Sequence, residues 1–174
     1  MKRTLPFIAV LFLLFSCGVQ TKFEKSTTYA DTQSPSSLFI LVVGDADNSK
    51  CLDYYKQYLT DTLKAKNIKA DGYGDYRVTK KNKDLSFVND LIEAHKDQPY
   101  ILTAVITKTV VGYGASSSRT LKLALINTEE RKVTWSGELI ADFSWFVSDA
   151  DYRNVARKLS LQTITELQSK GIVK

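Results

Sequence analysis

The chain has 174 residues, enough for one domain with a substantial core. Its 24 basic and 19 acidic side chains leave a formal charge of +5, a mildly cationic surface and not the clustered Lys and Arg of a nucleic-acid footprint. Two cysteines are too few for a disulfide framework.

The chain begins with Lys2 and Arg3, followed by the apolar run Leu5 to Phe15 and then Ser16-Cys17. That run is shorter than the roughly 20 apolar residues a spanning helix needs. Leu14 stands three residues before Cys17, and Phe15 stands where a small residue is the usual choice. The layout resembles a bacterial lipoprotein signal peptide. The resemblance implies cleavage after residue 16, lipid on Cys17 and a place in the cell envelope, on the outer membrane facing the periplasm. Loss of Lys2 and Arg3 would take the 24 basic side chains to 22 against 19 acidic, a charge of +3. A lipidated Cys17 would also leave Cys51 with no partner for an intramolecular disulfide.

Residues 17–37 are polar and show no apolar period, so they are expected to be a flexible tether between the lipid and a single domain over residues 38–174. The domain opens with Leu38 to Val43, a continuous apolar run suited to a strand buried on both faces. Leu52, Tyr55, Leu59 and Leu63 recur at helical spacing, with Asp47 or Ser49 as the expected cap and Asn67 as the stop. Ile68 to Val78, with Gly72 and Gly74, reads as a weak edge strand. Asp84 is expected to cap a second helix with apolar face Leu85, Val88, Leu91 and Ile92.

Tyr100 to Val111 is apolar or β-branched on both faces and reads as a central strand. Gly112 to Ser118 is expected to be a loop. Leu121, Leu123 and Leu125 alternate inward along the next strand. After a hairpin at Asn127 to Arg131, Val133, Trp135, Leu139, Ala141 and Phe143 alternate inward in turn. Ser148-Asp149-Ala150-Asp151 predicts a capping box, Val155, Ala156, Leu159, Ile164 and Leu167 a buried helical face, and Gly171 the stop. The order is β-α-β-α-β-β-β-α. The expected fold is α+β, a two-layer sandwich with a mixed sheet of about five strands and three helices on one face.

Candidate chemistry is sparse. Asp45-Ala46-Asp47-Asn48-Ser49 starts like a calcium loop, but lysines at Lys50 and Lys56 replace the required Gly and Glu, so a capping turn is expected and no metal. Cys51 lies in a first helical turn, where a thiol can be activated, yet the one histidine, His95, ends a different helix. A small buried thiol is the expectation. Gly112-Tyr113-Gly114-Ala115 lacks the Lys-Ser/Thr ending of a phosphate loop and reads as a hairpin tip carrying an exposed Tyr113. Trp145 and Phe146 follow the last strand, where they could pack the core or form an aromatic lip. No catalytic constellation and no cofactor are expected. Cys17 is the lipidation residue, and Tyr113, Trp145 and Phe146 form the expected binding surface.

The segment Leu121 to Leu139, with Lys132-Val133-Thr134-Trp135-Ser136-Gly137-Glu138, resembles a hairpin of small uncharacterised envelope lipoproteins. The architecture is similar to the N-terminal domain of the Tol translocation protein and to penicillin-binding-protein activator lipoproteins. The resemblance implies a non-enzymatic, lipid-anchored role in envelope assembly, with a membrane contact through the lipid and a protein partner, and no nucleic acid. The alternative expectation is a small-ligand or lipid-binding module with an aromatic-lined cleft.

Overall fold

A computed structural model describes residues 21–29, 34–78, 85–111, 116–144 and 148–174. The strands are β1 (Thr21–Thr28), β2 (Ser37–Asp45), β3 (Lys69–Val78), β4 (Tyr100–Val111), β5 (Ser116–Asn127) and β6 (Lys132–Ser144). The helices are α1 (Ser49–Ala65), α2 (Phe87–Ala94) and α3 (Asp149–Ser169). Among the described residues the strands form one sheet in the order β1-β6-β5-β4-β2-β3. β2 runs parallel to β3 and β4, and the other neighbours are antiparallel. Among the described residues the fold is α+β with a mixed sheet and three helices, as the patterning predicts, and with six strands where about five are expected.

The additional strand is β1, in the stretch expected to be spacer. Thr21 pairs with Ala141 and Thr28 with Trp135. Phe23 lies over Trp135 with ring centroids 6.1 Å apart, and the Trp135 indole donates to Ser26 Oγ at 3.0 Å. Gly137 makes room for that ring, since a Cβ there would come within 2.5 Å of Phe23 Cζ. Trp135 and Gly137 are therefore the seat of β1. One apolar side chain and one hydroxyl are enough once β6 supplies the partner surface.

Alternation along β2 serves both faces. Leu38, Ile40 and Val42 join the main core with α1 and α3, while Phe39, Leu41 and Val43 face α2 on the other side. The main core adds Tyr55, Leu59 and Leu63 of α1, Leu102, Leu123, Leu125 and Trp135 of the sheet, and Val155, Leu159 and Leu167 of α3, all essentially inaccessible. Complete burial of a Leu-sized side chain stabilises the fold by about 1.5–3 kcal/mol. Tyr55 is accommodated by a hydroxyl pair: Thr163 Oγ1 donates to the Leu159 carbonyl at 2.9 Å, leaving Tyr55 to donate to Thr163 at 3.0 Å.

The expectation of three helices on one face is corrected for α2. The β2-α1-β3 connection steps one way along the sheet, and β3-α2-β4 steps back past β2 to its other side. Right-handed crossovers that reverse direction leave their helices on opposite faces. Composition cannot reveal this, because it depends on strand order.

The helix ends follow local chemistry. Asp45, not Asp47 or Ser49, caps the 3-10 turn Ala46–Asn48 that leads into α1, accepting from the Asn48 backbone at 3.0 Å. Asn67 adopts φ 61°, and its N–H reaches Lys64 while Ile68 N–H reaches Leu63, a Schellman closure. Ser148 and Asp151 complete the capping box of α3, at 3.2 Å and 2.8 Å. Gly171 ends that helix at φ 71°. Asp84, the expected cap of α2, lies outside the described residues, and Ser86 occupies the N-cap position.

The two outer strands are finished differently. On β3, the Asp71 carboxylate takes the Gly72 N–H at 2.8 Å and the Asp75 carboxylate takes the Arg77 N–H at 3.1 Å. On β1, Gln162 of α3 donates to the Thr21 carbonyl at 2.8 Å.

Candidate functional site

The second face of the sheet is only half roofed. The eight-residue α2 lays Phe87, Val88, Leu91 and Ile92 over β2 and the near side of β4, with Leu85 just before it. Beyond it, β4, β5 and β6 run under an open groove of about 870 Å³. That volume is in the range of small-molecule sites, about 300–1,000 Å³.

The floor is made of short side chains: Thr103 and Val105 of β4, Ala124 of β5, and Ser136 of β6. Thr103 spends its hydroxyl on the Ala124 carbonyl at 3.3 Å, so the floor presents methyl groups. One bank is Leu85 and Val88 beside α2. The other is Tyr29, just past β1, which is 61% exposed and pins its hydroxyl to Ser136 Oγ at 3.1 Å.

A register shift builds the end of the groove. Leu125 pairs with Trp135 but Ile126 pairs with Val133, leaving Thr134 unopposed. Thr134 turns in and donates to the Leu125 carbonyl at 3.3 Å. The bulge moves Val133 to the groove side, where it is 44% exposed. This corrects the reading that set Val133 inward with Trp135; one extra residue inverts the alternation.

The groove carries three cations, Lys122, Arg131 and Lys132, and no carboxylate in its lining. Glu138 lies 3.9 Å from Lys122 and Glu130 lies 3.8 Å from Lys132, both as partly exposed pairs. Such pairs contribute little in water and exchange readily.

Of the residues expected to matter, Cys17, Tyr113, Trp145 and Phe146 lie outside the described residues. Cys51 is buried in α1, and burial pushes its thiol up to about 12, with Arg119 offsetting part of that. Its sulfur points at the Tyr152 carbonyl, 4.0 Å away. His95 stacks on Phe39 at 4.1 Å, across the sheet from Cys51, so the two cannot form a nucleophile–base pair. No group of His, Cys, Asp and Glu among the described residues could hold a metal. Nor is any helix among them long and apolar enough to cross a membrane.

The groove itself was missed in the sequence. Its signal is the weak outward pattern of β4 to β6, where Thr103, Ala124 and Ser136 are too short to fill the face they share.

No protein-family model and no curated protein matches the chain. Solved structures do. The PelC dodecamer from Paraburkholderia phytofirmans aligns with a TM-score of 0.54 at 12% identity, over 86% of this chain and 98% of that one. A second PelC dodecamer, a point variant in another crystal form, aligns at 0.52 with the same identity and coverage. Lipoprotein GNA1162 from Neisseria meningitidis aligns at 0.45 and 11% identity, over 75% of this chain and 99% of that one. At such identities the likeness to PelC is one of fold.

Proposed function

We propose that this chain is a lipid-anchored, non-enzymatic envelope protein that works by assembling with other chains. The observation that carries the reading is the fold shared with PelC, a protein that forms a dodecamer, together with a signal layout ending at Cys17. β1 fits this reading. It begins at Thr21, four residues after Cys17, so a lipid on that cysteine would hold the sheet within about 14 Å of the bilayer surface. Lipid-borne copies share a plane and an orientation, which favours lateral assembly.

The test is fractionation of the full chain beside its Cys17→Ala variant, followed by native mass measurement of the membrane-extracted protein. The expected result is a membrane-bound oligomer that becomes unbound when Cys17 is replaced. A Cys17→Ala chain carrying a cleaved leader yet still sedimenting with membranes would defeat the anchor, and a strictly monomeric extract would defeat the assembly.

A second reading is favoured by one specific feature, the groove. Its apolar floor, exposed Tyr29 and basic end support the reading of a ligand site on the face opposite the main core.

A further inference from the structure

We infer that the groove takes a single-chain anionic amphiphile, a long-chain fatty-acid anion, with the alkyl chain along Val105, Ala124 and Val133 and the carboxylate against Arg131 and Lys132. The inference rests on the second reading above, that the groove is a ligand site, and adds the class of ligand.

Three observations converge. The middle of the floor offers the methyl groups of Thr103, Val105 and Ala124 and no buried charge, and the Thr103 and Ser136 hydroxyls are engaged with the Ala124 carbonyl and Tyr29, so it rewards a chain without hydrogen-bonding needs. The charge is one-sided, with Lys122, Arg131 and Lys132 in the lining and the carboxylates that pair with the two lysines, Glu138 at 3.9 Å and Glu130 at 3.8 Å, outside it. Two of the three cations are also set apart: Arg131 and Lys132 sit at the β5–β6 hairpin, while Leu85, Val88 and Val105 lie toward α2, where Lys122, opposite Val105 in the register, is paired with Glu138 at 3.9 Å. A ligand with a charged head and an apolar tail matches that division, whereas an acidic peptide would bring polar backbone onto a floor with little to pair it.

The geometry also selects the source. The hairpin lies at the end of the sheet away from Thr21, since Thr21 pairs with Ala141 and Thr28 with Trp135. A head group seated there lies at the opposite end of the sheet from Thr21, the end of β1 nearer Cys17 in sequence, which suits a monomer arriving from water better than a lipid still in a supporting bilayer.

The test uses the full lipidated chain in nanodiscs of neutral phosphatidylcholine, with empty discs as blank. cis-Parinaric acid is the probe, and its tryptophan-sensitised emission is followed. Saturable binding is expected above the blank. Its methyl ester should bind about tenfold more weakly. The double reversal R131E/K132E should weaken the acid about tenfold and leave the ester unchanged. Ala124→Phe, which fills the floor, should abolish binding of both with the melting temperature held. Equal affinity for acid and ester would overturn the anionic assignment while leaving a ligand groove. No saturable binding of either probe would overturn both. The oligomer measured above is independent of each result.

Discussion

The two faces of the sheet are made from the same strands and come out differently. The face under α1 and α3 is filled by large side chains, Trp135, Tyr55 and a ring of Leu and Ile that water does not reach. The face under α2 has a smaller satellite core of Phe39, Leu41, Val43, Ile101 and Val105, and then runs out of cover. The first face answers to packing, where a missing methylene is felt. The second contributes less to stability and has surface to spare for a ligand.

The sharpest way to break this contrast is the bulge, where neighbours in sequence serve opposite faces. Trp135→Ala should cost about 3–5 kcal/mol in denaturant unfolding, through lost transfer energy and the cavity left behind. Val133→Ala, two residues away, should cost less than about 0.5 kcal/mol. Comparable losses at both positions would mean that the second face is as much a core as the first.

Gly137 sharpens the edge of the main core. Gly137→Ala places a Cβ against the Phe23 ring and should destabilise by about 1–3 kcal/mol. Most of that loss should vanish in a Phe23→Ala background, measured as a double-mutant cycle. Additive losses would mean that β1 does not rest on Gly137.

A further effect appears in alkali. The folded Cys51 thiol titrates at about 12, and an unfolded one at roughly 8.5. The folded state therefore holds its proton longer. This contribution is complete below about 8.5 and is lost as pH rises toward 12. Native protein at pH 9 should resist iodoacetamide at Cys51 while urea-unfolded protein reacts, and Cys51→Ala should flatten part of the alkaline fall in stability. Rapid native labelling at Cys51 would show the main face to be open. Asp75 works in the other direction: Arg77 holds its carboxyl below the usual range, so its contribution is present above about pH 4 and fades as pH falls.

Much of the closed face was legible in the sequence. Leu121, Leu123 and Leu125 alternate, α1 and α3 carry apolar stripes, and Ser148-Asp151 and Gly171 mark their ends, because each is a local pattern with a local cause. The open face was not. The side on which α2 lies depends on strand order, and the groove depends on a register shift that no period announces. β1 was hidden for a third reason: Thr21 to Thr28 has one aromatic and several β-branched residues, too little to declare a strand until β6 offers Trp135 and Gly137. Of the candidate residues, Cys51 was read correctly as a buried thiol. Tyr29, the aromatic on the groove, drew no attention because it sat in a stretch read as spacer.

Under the proposed lipid anchor, confinement would give the finishing of β3 a further meaning. Molecules held to a membrane meet their neighbours in two dimensions, at encounter frequencies far above those in free solution. An outer strand with bare amides would then zip to its neighbour and on into fibrils. The carboxylates of Asp71 and Asp75, spent on the amides of Gly72 and Arg77, act as a built-in stop against that. Were the chain to assemble as proposed, crowding would then promote an ordered association without seeding an open-ended one.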